Sequence, residues 1–281
     1  MPVCQIKTQP IAQDSAFLRF LYRTLPGRFL LRLLSARWLS RLCGTFLDSR
    51  LSRPLISPFI KKNGIDLSEY YTEGWCCFND CFTRKIREDR RPIDQTPQAL
   101  ISPCDGLMSA YLISDDTVLA VKQSRYTVSS LLGGDEIARR YHGGICLVFR
   151  LCVNHYHRYC YIDDGEKGKN VFLPGVLHTV RPVALRTFPV FCENCREYTV
   201  MQTAHFGTVT QIEVGAMLVG KIKNDHQAAR ITRGMQKGMF LYGGSTVILL
   251  LEKDRVNLPQ AYFDAAARGE EIPVRMGERL N

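Results

Sequence analysis

The sequence predicts an α+β fold, with basic amphipathic helices at the N-terminus followed by a β-rich body. Three observations lead there. Residues 15–62 are rich in Leu, Phe and Arg at helical spacing, whereas from about residue 98 the chain turns to short apolar runs separated by Gly, Pro, Asn and Asp. A hydrophobic content of 46% over 281 residues is ample for a buried core. The boundary is drawn at 95/96, giving a helical, basic region 1–95 and a β-rich domain 96–281.

In the N-terminal region Pro26-Gly27 divides two predicted helices, and Pro54 and Pro58 mark their end. Leu31, Leu34, Trp38 and Leu42 recur at three- and four-residue steps and form one stripe, with Arg28 and Arg32 on one flank and Arg37 and Arg41 on the other. Arginine stems can lie along an apolar surface while their heads stay among water or phosphates. Two readings stand: a helix packed on its own protein, or a helix lying in an anionic bilayer surface. Between Arg19 and Lys62 ten basic residues face a single acid, Asp48, so nearly all of the net charge of +10 lies there. Nucleic acid is not expected as a partner, because no helix-turn-helix or zinc-finger pattern occurs.

The predicted strands are Gly106–Ile113, Ile145–Leu151, Ile212–Val219 and Val247–Leu251. Eleven cysteines are scattered without a regular framework, which fits reduced thiols. Cys192 and Cys195 form one Cys-x-x-Cys, and Cys76, Cys77 and Cys81 could in principle join it, but the spacing is irregular and no metal is expected. No stretch approaches the roughly 18 apolar residues of a spanning helix, and no secretory leader opens the chain, so a location on the cytoplasmic side is expected.

The most informative segment is Gly243-Gly244-Ser245-Thr246, between Met239–Tyr242 and Val247–Leu251. By itself it reads as a hairpin turn, with glycines supplying positive φ. A glycine before a serine also lets the hydroxyl reach the preceding carbonyl.

The stretch from Lys237 to Val247 resembles the self-cleavage site of phosphatidylserine decarboxylase proenzymes. Five further segments resemble that family in the family's order. Phe78-Asn79-Asp80-Cys81-Phe82-Thr83-Arg84-Lys85 with Arg91-Pro92-Ile93-Asp94 is similar to its N-terminal signature. Ser102-Pro103-Cys104-Asp105-Gly106 is similar to its aspartate turn, and His155-Tyr156-His157-Arg158-Tyr159 to its Tyr-His-Arg segment. Glu193–Glu197 and Val214–Ile222 complete the set.

The resemblance implies scission between Gly244 and Ser245 into a β chain (1–244) and an α chain (245–281) that stay together as a heterodimer. Ser245 would become a pyruvoyl group, the only cofactor. The implied activity is conversion of phosphatidylserine to phosphatidylethanolamine and CO2 through a Schiff base with that group. Ser245, Asp105 and His157 are the implied catalytic residues, with Asp105 orienting a histidine. The family pattern is Tyr-His-Arg-x-His, and the second histidine position is Cys160 here. The base is therefore left open among His157, preferred because imidazole titrates near working pH, His155, and Cys160 as a thiolate. With a lipid substrate, Arg28, Arg32, Arg37, Trp38 and Arg41 become the expected contact with an anionic membrane, and the protein is expected to be peripheral on the cytoplasmic face of the cell membrane. Association of copies with one another stays open. Two alternatives remain: a pyruvoyl-dependent decarboxylase of a soluble amino acid, and an unprocessed membrane-binding scaffold.

Overall fold

The computed structural model describes residues 7–10, 14–114, 119–121, 124–185, 187–216, 221–242 and 245–281. Helix α1 (Ala16–Arg23) is capped by Ser15, whose Oγ accepts the Leu18 N–H at 3.3 Å. Helix α2 (Leu25–Leu34) is capped by Thr24 and carries Pro26 in its first turn, where the missing N–H has no helical partner to lose. A Cβ on Gly27 would stand 2.1 Å from the Phe20 carbonyl oxygen, so only glycine allows the two helices to meet this closely. Helix α3 (Arg37–Leu47) follows a break at Ala36, whose backbone is extended.

This break corrects the predicted stripe. Leu31 is buried and Leu34 packs on the core, but Trp38 and Leu42, on the next helix, are 58% and 63% exposed. The outward apolar face consists instead of Leu25, Phe29 and Leu33 on α2 and Trp38, Leu42 and Phe46 on α3. Arg28, Arg32 and Arg41 are exposed among them, and the Arg37 side chain lies outside what is described. Pro54 and Pro58 do not end the helical region. Pro54 sits in a 3-10 turn, Arg50–Leu55, and Pro58 in the first turn of α4 (Ile56–Asn63), which closes on Gly64 with a φ of 59°. Helix α5 (Phe78–Phe82) is started by Asp80, whose carboxylate accepts the N–H groups of Cys76 and Cys77.

In chain order the strands begin with β1 (Gln9–Pro10), β2 (Tyr70–Tyr71), β3 (Lys85–Ile86), β4 (Gly106–Leu112), β5 (Leu119–Val121), β6 (Ser124–Tyr126), β7 (Ile145–Leu151) and β8 (Arg158–Cys160). They continue with β9 (Gly165–Lys167), β10 (Val171–Leu173), β11 (Arg196–Thr203), β12 (Gly207–Val214), β13 (Ile222–Asn224), β14 (Ala229–Ile231), β15 (Gln236–Phe240), β16 (Ser245–Leu251) and β17 (Glu270–Val274). The large antiparallel sheet runs β1-β17-β4-β7-β16-β12-β11-β9-β14, with β10 beside β11. A second sheet, β13-β15-β8, is separate from it.

Every residue of β16 is buried, because both faces of the sheet are covered, and this is why the sequence there is continuously apolar rather than alternating. On one face Ile248 and Leu250 belong to the same buried cluster as Leu21, Tyr22 and Leu31 from the N-terminal helices. On the other, Val247, Leu249 and Leu251 meet Tyr159, Cys160 and Phe240 from the small sheet. The N-terminal helices and the β body therefore share one core. The predicted strand 212–219 is displaced: β12 spans Gly207–Val214, while Met217–Gly220 lie outside the described residues. The expected hairpin is also corrected, since β15 and β16 belong to different sheets and do not pair, while Gly243 and Gly244 themselves lie outside the described residues.

Candidate active site

Ser245 opens the central strand β16, where it pairs with Leu151 of β7. Alternation along the strand puts its side chain on the face of Val247 and Leu249. The residue is fully buried, and among the described residues Oγ has no hydrogen-bond partner. An orphaned buried hydroxyl is costly in a resting core, which makes it a candidate for chemistry rather than for packing. Gly243 and Gly244, the residues before it, lie outside the described residues.

His157 is fully buried just before β8, and its carbonyl accepts the Phe240 N–H at 2.9 Å. Its Nδ1 lies 2.9 Å from the His155 carbonyl oxygen. A carbonyl only accepts, so Nδ1 carries a proton, and in the neutral ring the lone pair is on Nε2, the form a general base needs. The ring lies 4.1 Å from that of Phe82 on α5, and Phe82 in turn meets Tyr242 edge-on at 5.2 Å. Phe82 thus joins the histidine to Tyr242, the last described residue before Gly243 and Gly244.

The N-terminal signature builds this wall. Arg84, 1% exposed, donates to the carbonyls of Asn154 and His155 at 2.8 and 2.9 Å and lies over the Tyr70 ring at 4.5 Å. Arg158 donates back to the Thr83 carbonyl at 2.9 Å. In the sequence Asn79, Phe82, Arg84 and Arg91 carry no individual signal beyond their place in this signature.

Asp105 is buried, and Arg91 grips it in bidentate fashion, Nε to Oδ1 at 2.8 Å and Nη2 to Oδ2 at 2.6 Å. Oδ1 also accepts the Met276 N–H at 2.9 Å. No histidine is among these partners. Of a carboxylate's roughly four acceptor sites, one on Oδ2 is left for a further donor. Asp105 also lines a cavity of about 1120 Å³ with Gly106, His155, Arg90, Arg275 and Arg279. Leu107 pairs with Arg150 and Ser245 with Leu151, so Gly106, Leu151 and Ser245 lie in one row. The cavity edge is therefore about 10 Å, two strand spacings, from Ser245.

His155 lines the same cavity. Its Nδ1 accepts the Cys152 N–H at 3.2 Å, and burial holds its pKa below the ordinary imidazole value. Cys160 is wholly enclosed, its N–H bonded to the Pro103 carbonyl at 2.8 Å, and burial pushes its thiol up to about 12. It does not form the thiolate that a base role demands at neutral pH.

Between the two sheets Lys237 Nζ donates to both carboxylate oxygens of Glu213 at 2.8 Å and to Asn224 Oδ1 at 3.0 Å. The pair is inaccessible to solvent, and Glu213 stands opposite Val247, two residues beyond Ser245. Nothing in the sequence distinguished this pair from surface charges. Cys195 donates to the Gly175 carbonyl and Cys192 meets Ser130 Oγ, and among the described residues no group of His, Cys, Asp or Glu has a metal-holding arrangement.

A fully buried serine behind a glycine pair, at the head of a central strand in a fold that also buries a histidine with Nδ1 hydrogen-bonded, defines a class of site suited to chemistry on the chain's own backbone. Residues 78–281 match the profile of the phosphatidylserine decarboxylase family. A phosphatidylserine decarboxylase proenzyme 2 of Clostridium acetobutylicum is 43% identical over 264 residues, covering 94% of this chain and 90% of the relative. Phosphatidylserine decarboxylase proenzymes of Clostridium botulinum and Clostridium beijerinckii are 39% and 37% identical over 242 residues, covering 84% of this chain and 82% of each relative. The chain belongs to the phosphatidylserine decarboxylase family.

Proposed function

We propose that this chain is a self-processing enzyme that is cut between Gly244 and Ser245 and then converts phosphatidylserine to phosphatidylethanolamine and CO2. The observation that carries the reading is Ser245, fully buried at the head of β16 with an unpartnered Oγ among the described residues. A serine kept for packing would hydrogen-bond to its surroundings; one kept for attack must leave its oxygen available.

His157 serves as the base, and its Nε2 takes the Ser245 hydroxyl proton. Oγ attacks the Gly244 carbonyl carbon, the C–N bond breaks as the C–O bond forms, and Ser245 acquires a free amino group with its oxygen esterified. Loss of the Ser245 α-proton expels the Gly244 carboxylate from Cβ, and the dehydroalanine left behind takes up water and loses ammonia. The products are a β chain of residues 1–244 and an α chain of 245–281 that begins in a pyruvoyl group. That group's carbonyl supplies the electron sink for decarboxylation. A buried hydroxyl at position 245 with no partner among the described residues suits this origin, and the ladder of β16 with β7 and β12 would hold the group in place.

Access to a lipid headgroup falls to α2 and α3. Their exposed Leu25, Phe29, Leu33, Trp38, Leu42 and Phe46, interleaved with Arg28, Arg32 and Arg41, have the composition of an interfacial surface. No helix among the described residues is long and apolar enough to cross a membrane. We place the enzyme peripherally on the cytoplasmic face of the cell membrane, a reading that the exposed apolar and basic side chains of α2 and α3 support.

Intact mass spectrometry on wild type and Ser245→Ala, with CO2 release from phosphatidylserine vesicles beside it, tests the reading. Wild type is expected to give two fragments, the smaller starting in pyruvoyl at position 245, and to release CO2. Ser245→Ala is expected to remain one 32.0 kDa chain without activity. A wild-type chain that stays whole would overturn the proposal.

A further inference from the structure

We infer that Asn79 is a positioning residue for self-cleavage, holding the segment that carries the scissile carbonyl through the N–H of Tyr242. The inference rests on the proposed scission at Gly244-Ser245. Upstream of that bond the chain loses its ladder step by step. The Phe240 N–H donates to His157 at 2.9 Å, the Leu241 N–H to Lys221 at 3.2 Å, and the Tyr242 N–H to Asn79 Oδ1 at 3.3 Å. Two glycines follow, and the next fixed point is Ser245 in β16. Glycine restrains its own dihedrals least of all residues, so the proposed attack leans on how firmly the two described flanks are held. Asn79 is the last side-chain hold on the upstream flank among the described residues.

The side chain of Asn79 is itself held in one orientation. It is 5% exposed on α5, and its Nδ2 donates to Asp48 Oδ1 at 2.6 Å. A carboxylate only accepts and a backbone N–H only donates, so the amide nitrogen must face Asp48 and the amide oxygen must face Tyr242. The Tyr242 ring is held as well, edge-on to Phe78 at 5.0 Å and to Phe82 at 5.2 Å. Since Phe82 also contacts His157, α5 fixes the attacked segment and the base from one short helix. Asp48 caps α3, so the far end of this relay is the helix that presents Trp38, Leu42 and Phe46 to the outside.

A displacement of about 1 Å in reacting groups lowers rates on the order of a hundredfold, and Asn79→Ala is expected to slow cleavage by roughly 10- to 100-fold. Asn79→Asp keeps the acceptor for Tyr242 but sets a second carboxylate against Asp48, and should slow cleavage as well. The double variant Asp48→Asn with Asn79→Asp exchanges donor and acceptor between the two positions and should recover most of the rate. The measurement is the time course of conversion of the intact chain to its fragments, with melting temperatures taken for the same substitutions in a Ser245→Ala background, where no cleavage intervenes. The inference predicts a loss and a rescue of rate while the melting temperatures stay close together. It is overturned if Asn79→Ala cleaves at the wild-type rate, or if rates merely follow melting temperature. A wild type that does not cleave overturns the proposed function and this inference with it.

Discussion

In the proposed cleavage the base must accept a proton near neutral pH, and the Tyr-His-Arg segment offers two very different groups for it. Cys160, with its thiol pushed up to about 12 by burial, is uncharged across the working range, whereas His157 has its tautomer set by the His155 carbonyl. His157→Gln is therefore expected to slow scission by about 10²- to 10⁴-fold, the usual contribution of a general base. Cys160→Ser should cost less than about tenfold, because that thiol transfers no proton. Time courses of fragment appearance would decide, and the assignment fails if the two effects come out reversed. At this scale the sequence made Ser245, Asp105, His157 and Cys160 visible as candidates, because each stands in a short distinctive string. It could not make Asn79 visible as a partner of Tyr242, since the two are 163 positions apart and no local spacing relates them. The Arg91 grip on Asp105 escaped for the same reason: only folding brings the RPID segment against the aspartate turn.

Among the elements, the strands were easiest to read and the orientation of the helices hardest. Ile145–Leu151 coincides with β7, and Gly106–Ile113 runs one residue past β4. The break at Ala36 carries no proline or glycine, so the four-residue stripe ran through it and united residues that face different surroundings. The hairpin expectation failed because periodicity describes a strand but not the sheet it joins. The corrected outward face supplies a direct prediction. Fully burying one large apolar side chain contributes about 1.5–3 kcal/mol, so replacing Phe29 and Trp38 together with Ser should weaken partition onto anionic phosphatidylserine vesicles by at least roughly tenfold. Raising salt to 1 M, where the Debye length falls to about 3 Å, should weaken binding of the wild type further by screening Arg28, Arg32 and Arg41. Vesicle sedimentation measures both, and unchanged binding of the double variant would remove α2 and α3 as the contact.

For the whole molecule the question is what would keep it intact after the proposed cut between Gly244 and Ser245. Residues 245–281 are not a tail: β16 lies between β7 and β12, and β17 pairs with β4. The Met276 N–H is bound by Asp105, and the Gly277 N–H and Glu278 carbonyl exchange bonds with Ser102. Arg150 Nε donates to Glu271 Oε1 at 2.9 Å in a buried bidentate pair that joins the two prospective chains. Scission at one bond leaves all of these in place, so the fragments should co-elute as one species in native size-exclusion chromatography and separate only on denaturation. Removing one member of a buried pair strands its partner's charge at a cost of about 3–5 kcal/mol. Glu271→Ala should accordingly lower the melting temperature of the cleaved protein by roughly 6–20 °C for a chain of this size. Arg150→Met with Glu271→Leu leaves no stranded charge and should recover much of that loss. If Glu271→Ala melts with the wild type, or the fragments part under native conditions, the continuous sheet is not what holds the two chains together.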